Sequence, residues 1–170
     1  NFSLVDTVFI DVLSWEGEFT PDDLPDNLTV FDDEFFMTEL NRTRRVRVLL
    51  PSNYEETEID YPVLYMHDGQ NLFSDQESFA GEWEIDESMT MFEEGGYTGA
   101  IIVAVDNGGA LRIDEYTPFA NPIYGGGEGD LYVDFFVNTL KPAIDEEYRT
   151  LTQREHTGLM ESSLDGLNSI

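Results

Sequence analysis

In the stretch Tyr61-Pro62-Val63-Leu64-Tyr65-Met66-His67-Asp68-Gly69-Gln70 an unbroken apolar run gives way, from one residue to the next, to a polar loop. A strand with one wet face alternates apolar and polar side chains. A run without alternation belongs to a strand covered on both faces, as in a parallel sheet between helix layers. Sheets of that kind hold their ligands beyond the C-terminal ends of the strands, where His67 to Gln70 fall.

The neighbouring segments repeat the pattern. Ala100 to Val105 is a second buried run, ending in Asp106-Asn107-Gly108-Gly109. Between the two runs Trp83, Ile85, Met89 and Phe92 recur at helical spacing and stop at Gly95-Gly96, which predicts a helix and its terminal glycine. Leu131, Phe135, Leu140 and Ile144 predict another helix, kinked or broken at Pro142. Thr157 to Met160 reads as a further strand. Upstream, Arg44 to Leu50 sets Arg45 and Arg47 on one face and Val46 and Val48 on the other, which predicts a half-buried strand with a solvated arginine face. Leu28 to Met37, interrupted by Asp32-Asp33-Glu34, predicts a strand near a sheet edge, and Asp6 to Trp15 predicts one more strand, followed by an acidic loop. Residues 107–129 read as a long irregular stretch, either functional or disordered. The order strand, helix, strand, helix, strand predicts an α/β fold with a mostly parallel central sheet flanked by helices. It forms a single domain, with N-terminal edge strands and an acidic loop over 1–42 and core β/α units over 43–170.

The charge balance excludes some partners. With 36 acids, 8 bases and a net charge of −28, the chain cannot assemble a basic face for nucleic acid or an anionic membrane surface. Acid excess with Lys141 as the one lysine fits halophilic adaptation, and fits equally a plain acidic surface. There is no cysteine, so disulfides and thiolate chemistry are excluded. No apolar run approaches the ~20 residues of a membrane span. A soluble protein is expected, secreted or periplasmic in preference to cytoplasmic, of open oligomeric state. Asp106, Asp114, Glu115 and Asp130 lack the spacing of a calcium loop, so no metal and no cofactor is expected.

Several separated segments also match a known pattern in the right order. They are Arg45-Val46-Arg47-Val48-Leu49-Leu50-Pro51 with Tyr54; Tyr61 to Phe73; Trp83 with Asp86-Glu87; Arg112 with Glu115-Tyr116-Thr117-Pro118; Lys141-Pro142 with Ile144-Asp145; Tyr148-Arg149-Thr150; and the Ser162-Ser163 turn. Residues 43–167 thereby resemble the esterase family of α/β-hydrolases that includes feruloyl, acetyl-carbohydrate and siderophore esterases. The resemblance implies the N-terminal portion of an α/β-hydrolase, running as far as its nucleophile turn.

It also implies roles. The family's Gly-x-Ser-x-Gly turn falls on Glu161-Ser162-Ser163-Leu164-Asp165, which makes Ser163 the nucleophile and replaces both flanking glycines by acids. Leu164, Gly69 and Gln70 would supply backbone donors to the oxyanion. The Asp68-Gly69 pair equally suits a plain tight turn. His67, Asp68, Arg112, Glu115 and Tyr116 would form the substrate rim, with packing as the competing role for His67 and a mutual pair as the competing role for Arg112 and Glu115. His156 lies seven residues before Ser163, which on one strand places it more than about 20 Å away. The acid and base of a triad follow the serine in α/β-hydrolases, and are expected beyond Ile170. The implied reaction is hydrolysis of an acylated carbohydrate or phenolic ester by a serine esterase. The alternative is a catalytically inactive binding or assembly subunit. The 170 residues alone are expected to be inactive, with the last strand's edge unpaired.

Overall fold

The computed structural model describes residues 24–79 and 81–160. The expected strand at residues 6–15 and the turn carrying Ser163 and Leu164 lie outside them. Five strands form one sheet: β1 (Leu28–Met37), β2 (Arg42–Leu49), β3 (Val63–Met66), β4 (Ile101–Val105) and β5 (Thr157–Met160), in the order β1-β2-β4-β3-β5. The first two strands are antiparallel to each other, and β2 is antiparallel to β4. The C-terminal half is parallel: β3 pairs with β4 from Val63↔Ile101 to Met66↔Ala104, and with β5 from Val63↔Thr157 to Met66↔Met160.

The acids inside β1 have a visible consequence. Its register against β2 shifts on either side of Asp32, between Val30 and Phe35. Irregular, charged edge strands resist pairing with other chains, and β1 is the sheet edge that the sequence predicts.

Helices cover both faces. All five residues of β4 are buried, and they alternate between two cores. Ile102 and Ala104 join Leu49, Met66, Leu72 and Phe73 beneath α1 (Ile85–Glu94), which contributes Ile85 and Met89. Ile101, Val103 and Val105 join Val46, Val48, Val63 and Tyr65 on the other face, under Tyr132, Phe135, Leu140 and Ile144. The helix over that second face is α3 (Gly129–Phe135), a π turn over Phe136–Leu140, and α4 (Lys141–Glu147). Pro142 sits in the first turn of α4. Proline has no N–H to give and its ring collides with the preceding turn, so the wider turn just before it accommodates the break without ending the rod.

Two expectations are corrected. Residues 107–129 are ordered by local bonds: a short helix α2 (Arg112–Tyr116) is followed by a loop whose tip closes with Asn121 and Gly125 exchanging backbone bonds of 2.7 and 2.9 Å. Asp114 holds the base of that loop, its Oδ1 accepting from Gly126 N–H at 2.6 Å and its carbonyl from Glu128 N–H at 2.9 Å. Gly125, Gly126 and Gly127 all have φ near +90°, which a side chain would disfavour. The arginine face of β2 meets acids as well as water. Arg47 is 3% exposed and donates to Glu77 at 2.6 Å and Asp106 at 2.9 Å. Arg45, 34% exposed, donates to Asp106 at 3.0 Å, while Arg44, on the opposite face with Val46 and Val48, pairs with Glu115.

Candidate active site

Chain direction places the site. From β3 the chain crosses one face through α1 to reach β4, and from β4 it crosses the opposite face through α3 and α4 to reach β5. Adjacent parallel strands whose exits diverge in this way leave a crevice at their C-terminal ends. The loop after β3, Met66 to Asn71, and the segment after β4, Asp106 to Arg112, meet there.

Their contact is polar and closely built. The carboxylate of Asp68 accepts from both arms of the Arg112 guanidinium, Nε to Oδ1 at 2.9 Å and Nη2 to Oδ2 at 2.7 Å. Asn107 Nδ2 donates to the same Oδ1 at 2.6 Å, while the Asn107 N–H donates to Gln70 Oε1 at 3.1 Å. Burial alone would raise the Asp68 pKa, but the bonds from Arg112 and Asn107 outweigh it and hold the group below its usual range. Asp68 has φ +53°, in the left-handed region, and opens the single 3-10 turn Gly69–Asn71. The Gly69 backbone lies against the end of β4: a Cβ there would fall 2.9 Å from Asp106 Oδ1 and 3.0 Å from the carbonyl carbons of Ala104 and Val105.

Four of the expected rim residues, His67, Asp68, Glu115 and Tyr116, are buried. His67 is 1% exposed and Glu115 and Tyr116 are 0% exposed. His67 Nδ1 bonds Tyr132 Oη at 3.1 Å, and its ring lies 4.9 Å from that of Phe136 and 5.4 Å from that of Tyr116. Glu115 binds Arg42 at 2.9 Å and also Arg44, both on β2. Arg112 turns to Asp68, with its guanidinium carbon 4.8 Å from the centre of the Tyr116 ring beneath it. Asp68 is 4% exposed. Arg112 thus holds Asp68 within the loop, while His67, Glu115 and Tyr116 pack beside it. Gly69 and Gln70 stay at the crevice.

His67 carries a pH prediction. Burial pushes its pKa down from 6.5 to about 4, with Arg112 adding to the effect and Asp68 opposing it. Above pH 6.5 the imidazole is neutral folded or unfolded, and its contribution is constant. Between 6.5 and 4 the unfolded chain takes up a proton that the folded one refuses, so stability falls on acidification, by about 3 kcal/mol in all. Urea unfolding at pH 7, 5.5 and 4 is expected to show this loss, and His67→Gln to show a curve flatter by that amount. Parallel curves would place the histidine in water.

Met160, the last residue of β5, accepts from the backbone N–H of His67 at 3.4 Å. β3 and β5 thus end at the same level, with Met160 beside the start of the 67–71 loop. His156 precedes β5 at its other end, in the turn Arg154–His156. Asn107 and Tyr132 are functional-site partners absent from the sequence reading. Asn107 directly follows a buried strand, the position at which polar residues merit attention. Tyr132 lies on a helix whose pattern looks the same for a core tyrosine and for a histidine's partner.

Known proteins share this architecture. A family model described as "Putative esterase" matches residues 37–170. YbbA of Bacillus subtilis (strain 168), described as an uncharacterized protein, is 26% identical over 133 residues, covering 75% of this chain and 49% of its own length. The chain therefore spans about half of that curated relative. Among solved structures, an IroE-like serine hydrolase from Shewanella oneidensis is 24% identical with a TM-score of 0.58, over 77% of this chain and 42% of that one. A ferulic acid esterase is 27% identical with a TM-score of 0.58, over 82% of this chain and 52% of that one.

Proposed function

The chain belongs to the putative-esterase family, and on that premise we propose that the complete protein is a serine esterase that hydrolyses carboxylic esters through an acyl-enzyme on Ser163. Ser163 Oγ attacks the ester carbonyl carbon while a base takes its proton. The tetrahedral oxyanion rests on the N–H groups of Leu164 and of Gly69 or Gln70, the alcohol leaves with a proton, and water then releases the acid from the serine. The observation that carries this reading is the common end of β3 and β5, with Met66 opposite Met160 and the His67 N–H on the Met160 carbonyl. Ser163 follows Met160 by three residues, a length of chain that spans at most about 10 Å. The base is neither histidine of this chain: His67 is buried on Tyr132, and His156 sits at the far end of β5. In the chain order of α/β-hydrolases the acid and then the histidine follow the serine. The substrate class is a phenolic or acylated-carbohydrate ester, a choice supported by the 27% identical structure named as a ferulic acid esterase.

A second reading has its own support. Glu161 and Asp165 stand where the family carries glycines, and two carboxylates beside a forming oxyanion oppose it. A binding or assembly subunit that has lost catalysis would carry such a turn. A fluorophosphonate separates the two, because it phosphonylates an activated serine and spares an ordinary hydroxyl. Peptide mapping of the complete protein is expected to find one adduct, on Ser163, whose formation an aryl ester slows. An unlabelled Ser163 beside a fully labelled control esterase supports the binding subunit.

A further inference from the structure

The polar contacts around Asp68 serve neither the core nor a rim, and their arrangement has a direction. A non-glycine residue in the left-handed region is disfavoured unless its surroundings hold it there. Asp68, at φ +53°, is held by three donated bonds: two from Arg112 and one from Asn107 Nδ2. The same asparagine reaches past Asp68 to fix the next residue but one, its N–H on Gln70 Oε1. Asn107 is itself set by the Gly109 N–H, which donates to its Oδ1 at 2.8 Å. Both Asp68 oxygens are thereby occupied, and Gly69, between the two fixed residues, is pressed against the end of β4.

Arg112 is anchored in turn. It begins α2, its guanidinium covers the Tyr116 ring, and one turn later Glu115 ties the helix to Arg42 and Arg44 of β2. A bidentate fork fixes the plane of the carboxylate as well as its distance, which a single ammonium cannot do.

We infer that Arg112 and Asn107 are positioning residues for ester hydrolysis: acting through Asp68 and Gln70, they aim the Gly69 and Gln70 N–H groups at the oxyanion. The inference rests on the reading that this turn supplies oxyanion donors. Neither residue need touch the substrate to act, since Nε and Nη2 of Arg112 reach the turn through Asp68. A donor to an oxyanion works by being in place before charge develops, so loosening its support raises the barrier more than it weakens substrate binding.

The test is steady-state hydrolysis of an aryl acetate by the complete protein with Arg112→Met, Arg112→Lys and Asn107→Ala. Arg112→Met is expected to lower kcat about 100-fold with KM within about threefold. Arg112→Lys should recover part of the loss, and Asn107→Ala should lower kcat about tenfold. The double variant Asp68→Asn/Arg112→Met should lose no more than Arg112→Met alone, because the two residues act as one unit. A folded Arg112→Met enzyme with kcat within about twofold of wild type overturns the inference, as does a raised KM at unchanged kcat, which would place Arg112 on the substrate. If Arg112→Met does not fold, Asn107→Ala decides, and an unchanged kcat there overturns it equally. Wild-type protein that hydrolyses no ester, or Ser163→Ala that still does, removes the underlying reading and this inference with it. A normal wild type and a dead Ser163→Ala beside fast Arg112 and Asn107 variants remove the inference alone.

Discussion

Ser163→Ala is expected to lower kcat/KM of the complete protein for an aryl acetate roughly 10⁴- to 10⁶-fold, the range found when the nucleophile of a catalytic unit is removed. The size follows from what remains. Without the hydroxyl no acyl-enzyme forms, and the base and oxyanion donors help only a direct attack by water, which starts from an unpositioned nucleophile. Glu161 and Asp165 set where in the range the loss falls. Their charges raise the barrier of the wild-type reaction by opposing the oxyanion, so the starting rate is lower and the measured ratio lies toward 10⁴. KM reports separately on the ester's contacts and should change little. A variant retaining more than about a tenth of the wild-type rate would put the nucleophile elsewhere, and with it the roles of Leu164, Gly69 and Gln70.

The sequence reveals much of the sheet and little of what lies between its ends. Val63 to Met66 and Ile101 to Val105 are recognisable because two-sided burial leaves its mark along the strand, whereas β5, with Leu159 and Met160 exposed, shows it less. The Gly95-Gly96 stop and the Pro142 break are local chemistry, and the structure has both. The arginine face of β2 misleads for a physical reason. Alternating Arg and Val is the pattern of a half-wet strand whether the arginines meet water or meet acids, and the acids that receive them are 30 or more residues away: Glu77 and Asp106 for Arg47, Asp106 for Arg45. The site shows the same limit. His67 to Gln70 declare themselves by following a buried strand. That Asp68 belongs to Arg112, and Glu115 to Arg42 and Arg44, depends on how two crossovers bring separate strand ends together, and five-residue α2 is too short to show a helical period.

Glu115→Gln is expected to cost about 3–5 kcal/mol of stability, the usual cost of removing one partner from a buried ion pair. The Glu115 side chain is 0% exposed, and its two partners, Arg42 and Arg44, are 22% and 11% exposed. Arg42 retains Glu128, at 2.7 and 3.0 Å, when the charge is lost. Arg44 retains Thr43 O at 2.6 Å and loses its carboxylate, so most of the penalty falls on that guanidinium. Water cannot readily replace the carboxylate, because the backbone at Gly108 closes over it: a Cβ at that position would lie 2.6 Å from Glu115 Oε2. Urea unfolding in low salt and in molar KCl distinguishes this pair from the chain's general acidity. Relief of repulsion among surface acids should raise wild type and variant alike as salt increases, whereas a buried pair is screened little, so the gap between the two curves should persist. A gap under about 1 kcal/mol, or one that closes in KCl, would mean that Arg44 finds water as readily as it finds Glu115. It would also remove the anchor that holds α2 to β2, and with it the fixed base from which Arg112 reaches Asp68.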